Sequence, residues 1–114
     1  MTGRVDIDAR KALSVRAPLF SKAQKFLDSE VLRTSAPFVP MRTGELMRSG
    51  TRGTKIGSGE VIYVAPYSRK MYYGSGLNFR TDKHPQARAF WFEAAKAIHK
   101  DAWLRGVQEI ARGG

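Results

Sequence analysis

The stretch Phe38-Val39-Pro40-Met41-Arg42-Thr43-Gly44-Glu45-Leu46-Met47-Arg48-Ser49-Gly50, then Gly57-Ser58-Gly59, then Glu60-Val61-Ile62-Tyr63-Val64-Ala65-Pro66-Tyr67-Ser68-Arg69-Lys70-Met71-Tyr72-Tyr73-Gly74 decides how this chain is read. Glycine and proline at this density fix a backbone path. Tyrosines beside arginine and lysine make an adhesive surface. The stretch holds no arrangement of nucleophile, base and acid. It has the chemistry of a part that docks to other parts, so the chain reads as a structural, assembling protein and not an enzyme.

Residues 49–56 and 60–65 read as two antiparallel strands joined by Gly57-Ser58-Gly59, whose glycines supply positive φ at little cost. This predicts a β-hairpin over about 49–65. Val61, Ile62, Tyr63, Val64 and Ala65 are apolar on both faces, whereas an antiparallel strand with one wet face should alternate. Either the strand is central in a sandwich or a neighbouring subunit covers its second face, and the chain's small size favours the subunit. Phe38 to Met41 reads as extended, Thr43 as a helix N-cap, and 44–48 as a short helical turn. Pro66 opens another short helix, with Gly74 at its C-cap and Tyr67 and Met71 on one face.

Outward from there, Arg4-Val5-Asp6-Ile7-Asp8 alternates as a short edge strand should. Pro18 suits the first turn of a helix over about 18–34. Its apolar stripe runs through Leu19, Phe20, Ala23, Phe26, Leu27, Glu30 and Val31, with Lys22, Lys25, Asp28 and Arg33 off it, and Pro37 stops it. Residues 75–85 read as an irregular loop. A C-terminal helix over about 86–105 carries Trp91, Ala94, Ala95, Ile98 and Ala102 as its stripe, widened by Phe90, Phe92, Ala97 and Leu104. Gly106 is expected to bend or end it. The fold class is α+β: a small antiparallel sheet packed against an N-terminal and a C-terminal helix. With 114 residues this is one domain, 1–114, with 1–17 and 112–114 extended or flexible.

The net charge of +10 favours a polyanion nearby, but the excess is spread along the whole chain, without a basic tail or arginine-rich helix. Diffuse charge suits sequence-blind attraction to phosphates better than base readout. Without cysteine there is no disulfide framework or thiolate metal site, which fits a reducing cytoplasm. No apolar run approaches the roughly 18 residues of a membrane span. Met1 to Arg16 alternates charged and apolar residues where a signal-peptide core would be apolar.

Neither His84 nor His99 has a carboxylate at a ligand spacing. Gly57-Ser58-Gly59 lacks the Lys-Ser/Thr that follows a phosphate cradle. Ser49 and Ser68 have no evident base. We therefore expect no catalytic, cofactor-binding or metal-binding residues. Tyr63 is assigned to the core with one further tyrosine. The others suit a subunit contact better than base stacking, because tyrosine and arginine concentrate at interface hot spots.

The order of these elements resembles a phage minor capsid protein group of small neck proteins, related to the head–tail joining or tail-completion proteins of long-tailed phages. The likeness is carried by Phe38-Val39-Pro40-Met41 with Thr43-Gly44-x-Leu46-x-x-Ser49-Gly50, and by Pro66-Tyr67-Ser68-Arg69 with Tyr72-Tyr73-Gly74. Asn78-Phe79 and the closing Trp91-Phe92-Glu93-x-Ala95-Lys96-x-x-His99-x-x-x-Trp103 complete it, over roughly residues 20–105. The resemblance implies a virion protein assembled in the bacterial host cytoplasm, without catalytic activity or cofactor. It implies a ring of six copies at the neck, between portal or connector and tail, with double-stranded genomic DNA in its lumen. The partners are then the protein itself and the neighbouring connector, stopper, tail-terminator or tail-tube proteins, with no membrane. On that reading Arg42, Arg48, Arg52, Lys55, Arg80 and Lys83 are candidates to face DNA or an adjacent ring. Tyr67, Arg69, Met71, Tyr72, Tyr73 and Phe79 are candidates for the subunit interface. Two rivals remain at this point. One is a small basic ribonuclease toxin using Arg69, Tyr72, Arg80 and His84. The other is a stand-alone, non-specific DNA-binding protein.

Overall fold

The computed structural model describes residues 3–13, 21–40, 44–74 and 88–113. Within them the order is β1 (Val5–Asp8), α1 (Ala9–Ala12), α2 (Ser21–Ser35), a 3-10 turn (Ala36–Phe38), α3 (Glu45–Gly53), β2 (Glu60–Tyr63), α4 (Ser68–Tyr72) and α5 (Trp91–Ala111). The class is α+β, with a two-stranded antiparallel sheet on which helices pack. Arg42, Phe79, Arg80, Lys83 and His84, and the expectations for Pro18 to Phe20, Thr43 and residues 75–85, lie outside the described residues.

β1 buries Val5 and Ile7 and exposes Asp6 and Asp8, as its alternation requires. Asp8 then ends the strand by capping α1, its carboxylate accepting from the Lys11 N–H at 3.1 Å. The partner of β1 is β2, with Val5 opposite Tyr63 and Asp8 opposite Glu60.

That pairing corrects the predicted hairpin. Residues 49–53 are helix, not strand: Leu46, Ser49 and Gly50 recur at helical spacing and face the core, while Arg48 and Arg52 stay exposed. Gly57 and Gly59 do take positive φ (102° and 89°), as expected of the turn, but the turn joins a helix to a strand. Along β2, Val61, Tyr63 and Ala65 are buried, while Ile62 and Val64 are half-buried. A Cβ built on Gly53 would meet a Val64 methyl at 2.6 Å, so α3 itself lies against that second face.

α2 packs chiefly on α5. Ala23, Leu27 and Val31 are buried as the stripe predicts. Asp28 departs from expectation: placed on the polar side by periodicity, it is fully buried. Its Oδ2 accepts from the Gly57 N–H at 2.8 Å and the Gly59 N–H at 3.0 Å, and its Oδ1 accepts from the Gln24 amide at 2.8 Å. A buried carboxylate is tolerable when N–H groups surround it, and here it ties the turn before β2 to α2.

α5 buries Trp91 and Ala95 as expected but is rotated from the expected stripe beyond them. Trp91, Phe92, Ala95, Trp103 and Val107 face inward, whereas Ile98 is 62% exposed and Ala97 and Ala102 are exposed. Trp103 fixes that rotation, its indole N–H donating to the Thr34 hydroxyl at 3.2 Å across the helix pair. α5 runs on to Ala111, so Gly106 does not end it. A Cβ there would lie 2.2 Å from the Phe26 ring, so the glycine lets α2 and α5 approach closely. The 3-10 turn carries Pro37 and closes α2 where expected.

Candidate functional site

Two surfaces of different chemistry emerge. On α3 the spacing 45, 48, 52 places Glu45, Arg48 and Arg52 on one solvent face. Arg52 Nη2 lies 2.6 Å from one Glu45 oxygen and Arg48 Nη2 4.0 Å from the other. Two guanidinium groups thus share one carboxylate, and exposed Lys55 follows just past the helix end. Of the predicted basic group the structure brings Arg48 and Arg52 together through Glu45, and leaves Lys55 exposed two residues past the helix end. The exposure of these side chains makes the ion pairs worth little to stability, but leaves net positive charge available to a phosphate backbone.

The second surface is aromatic. Tyr72 is 6% exposed and packs edge-to-face on Trp91 at 4.7 Å between ring centroids. It also meets Tyr73 at 5.1 Å and Phe90 at 5.4 Å, again edge-to-face. Burial raises the Tyr72 phenol well above its ordinary value, aided by the nearby Glu93 carboxylate. Tyr73 and Phe90 are 56% and 37% exposed. Arg69 lies 5.8 Å from the centre of the Tyr73 ring, a cation–π distance. Tyr67 is exposed and Met71 half-buried. Tyr72 is thus the second core tyrosine, while Tyr67, Arg69 and Tyr73 remain at the surface.

Phe90 was not singled out for this surface by the sequence. It caps α5 with φ 52°, a left-handed backbone uncommon for a bulky residue. Its N–H donates to the Tyr72 carbonyl at 2.8 Å, which holds the strained residue against α4. Pro66 and the tyrosine run signalled α4, but only the helix packing reveals that Phe90 completes its aromatic wall. Between that wall and β1 lies an open groove of about 640 Å³, lined by Val5, Ile7, Tyr72, Tyr73, Phe90 and Phe92 with charged residues at its rim.

Among the described residues no group of three or more His, Cys, Asp or Glu could hold a metal ion. No helix among them is long and apolar enough to cross a membrane. Of the residues named for a ribonuclease, Arg69 and Tyr72 are described, and the Tyr72 phenol is packed in the core.

No curated protein and no solved structure matches the chain. A family model does, spanning residues 3–111 and so taking in the basic face of α3, the aromatic groove and the helix pair beneath them. With nearly the whole fold inside that match, the chain belongs to the minor capsid protein family, and its role is that of a structural protein of the phage virion.

Proposed function

We propose that the chain works in the neck of the virion, as a head–tail joining or tail-completion ring through which genomic DNA passes. Membership of the minor capsid protein family supplies the structural role. The observation that carries the finer reading is the pair of dissimilar surfaces on one small chain: a basic helix face and an aromatic groove. A ring closes through heterologous contacts, which need two different patches on each copy. A DNA conduit needs attraction without register, and Arg48, Arg52 and Lys55 offer charge with no fixed base-reading geometry. Arg42, Arg80 and Lys83 would add to that charge, and Phe79 to the subunit contact. Six copies is the number the family resemblance implies. Connector, stopper, tail-terminator or tail-tube proteins would form the layers above and below.

The test is genetic and visual. Phage lacking this gene should accumulate DNA-filled heads and finished tails that stay apart, and supplying the protein in trans should join them. Joined, intact particles without it, or a failure to form heads at all, would overturn the neck assignment. The stand-alone DNA-binding alternative makes a different demand: tight duplex binding by the free monomer with a steep salt dependence. On the neck reading the free chain binds duplex weakly, and binding strengthens when copies pool their charge in a ring.

A further inference from the structure

The two edges of the sheet are finished differently. In an antiparallel pair the ladder bonds fall on alternate residues. The Ala9 N–H donates to the Gly59 carbonyl at 2.9 Å, which fixes the phase: Val5 with Tyr63 and Ile7 with Val61 carry the ladder bonds. Asp6 and Ile62 therefore turn their backbone groups away from each other, toward the two edges. On the β2 side the edge is closed. The Thr54 hydroxyl accepts from the Ile62 N–H at 2.9 Å and donates to the Ile62 carbonyl at 3.4 Å, standing in for a third strand. On the β1 side, among the described residues, no backbone group bonds to Asp6. An unclosed edge is a template for another strand.

This edge borders the aromatic groove, since Val5, Asp6, Ile7 and Asp8 line one wall and Tyr72, Tyr73 and Phe90 the other. Its charge is also unlike the rest of the chain. Asp6, Asp8, Glu60 and Glu93 gather here, against Arg4, Lys11, Lys96 and the Arg69 that lies on the Tyr73 ring. Arg4 is held by Asp6 at 2.8 Å and Lys96 by Glu93 at 3.3 Å. Four carboxylates against four cations leave this corner neutral on a chain of net charge +10. Between two copies that are each strongly basic, a neutral corner with carboxylates at the strand edge is where a basic segment of the other copy meets least repulsion.

We propose that the open edge of β1 and the groove beside it receive a basic, extended segment of a second copy of this chain, which adds a strand to the sheet. Backbone pairing to Asp6 would supply register, the Tyr73 and Phe90 rings an apolar seat, and the carboxylates the preference for a basic occupant. The inference rests on the ring reading and names the face on which each copy receives its neighbour.

Three full-length variants test it: Asp6→Pro, Tyr73→Glu and the double charge reversal Asp6→Lys with Glu93→Lys. Proline at 6 removes only an outward N–H, so the fold should survive. Tyr73 is exposed enough for glutamate to be accommodated, which keeps the test valid if proline perturbs β1. Self-association is followed by sedimentation and native mass spectrometry over a wide concentration range, with far-ultraviolet circular dichroism as the folding control. The wild type should associate, each variant should associate at least tenfold more weakly while folded, and the Asp6 amide should become protected from hydrogen exchange on assembly. Folded variants that assemble like the wild type overturn the docking face and leave the ring reading standing. A wild type that stays monomeric throughout overturns both. Capture of a different neck protein in the groove, with no self-association there, overturns the second-copy occupant.

Discussion

Asp28 and Ser35 sit seven residues apart on α2, both fully buried, and the chain treats them in opposite ways. Asp28 has both carboxylate oxygens answered by N–H groups: two from the turn at 57–59 and one from Gln24. The Ser35 hydroxyl, like the Trp91 indole N–H, is buried without a hydrogen-bond partner. Both lie near the Tyr63 hydroxyl, close enough to ease its ionisation slightly, but not in hydrogen-bonding geometry. One buried polar group therefore organises the fold and the other is merely accommodated by it. Burial alone does not tell which; the partner list does.

The largest effect should come from Asp28→Ala. It strands the Gly57 and Gly59 N–H groups, frees the turn that aims β2, and discards charge-assisted bonds. We expect a loss of about 3 kcal/mol or more in urea-unfolding stability. Asp28→Asn should recover part of this, because both turn N–H groups go to a single oxygen that the amide carbonyl can replace, and Gln24 can turn its own carbonyl to the new amide nitrogen; the remaining deficit of about 1–2 kcal/mol is the lost charge assistance. Full recovery in Asn would show that shape and not charge holds the turn.

Much of this architecture is legible before any coordinates. The stripe Ala23, Leu27, Val31 needs only helical periodicity, and Pro37 and Pro66 mark the end of α2 and the approach to α4. Asp28 is not legible, because its partners lie 29 and 31 residues away in a turn whose donors show no local preference for it. The hairpin expectation failed for a related reason. Residues 49–53 and 60–63 are sequence neighbours, and their nearness suggested pairing. The actual partner of Tyr63 is Val5, whose alternation at 5–8 marked a strand but not its mate. The course of α5 beyond Ala95 was hidden as well: Ile98 and Ala102 continue the stripe from Trp91 and Ala95 as plausibly as Trp103 and Val107 do, and the buried Trp103–Thr34 contact shows which pair faces inward. Of the candidate surfaces, the tyrosine run was visible and its wall at Phe90 was not.

A middle-sized effect concerns the Tyr63 phenol beside Ser35. Burial pushes it far above the ordinary phenol value. The folded state then holds a proton that the unfolded chain releases above about pH 10. Stability supported by the neutral phenol is intact below that pH and falls as the pH rises, by about 1.4 kcal/mol per pH unit for this one group. Tyr63→Phe should flatten the alkaline loss measured by urea unfolding from pH 9 to 11. An unchanged slope would mean that Tyr72, which is also raised, carries the linkage instead.

The smallest effect sharpens the comparison most. Ser35→Ala removes a hydroxyl that has already lost water without gaining a partner. Its deletion should change stability by less than about 0.5 kcal/mol, or raise it, since no bond is broken and a desolvated polar group disappears. A loss of about 1–2 kcal/mol would mean that Ser35, Tyr63 and Trp91 form a true network in solution, through a slight rotation of the Tyr63 hydroxyl or a bridging water. In that case Trp91→Phe and Ser35→Ala should be strongly non-additive in a double-mutant cycle. The two buried groups of α2 would then differ in the reach of their bonds, Asp28 to the turn at 57–59 and Ser35 only within the aromatic core.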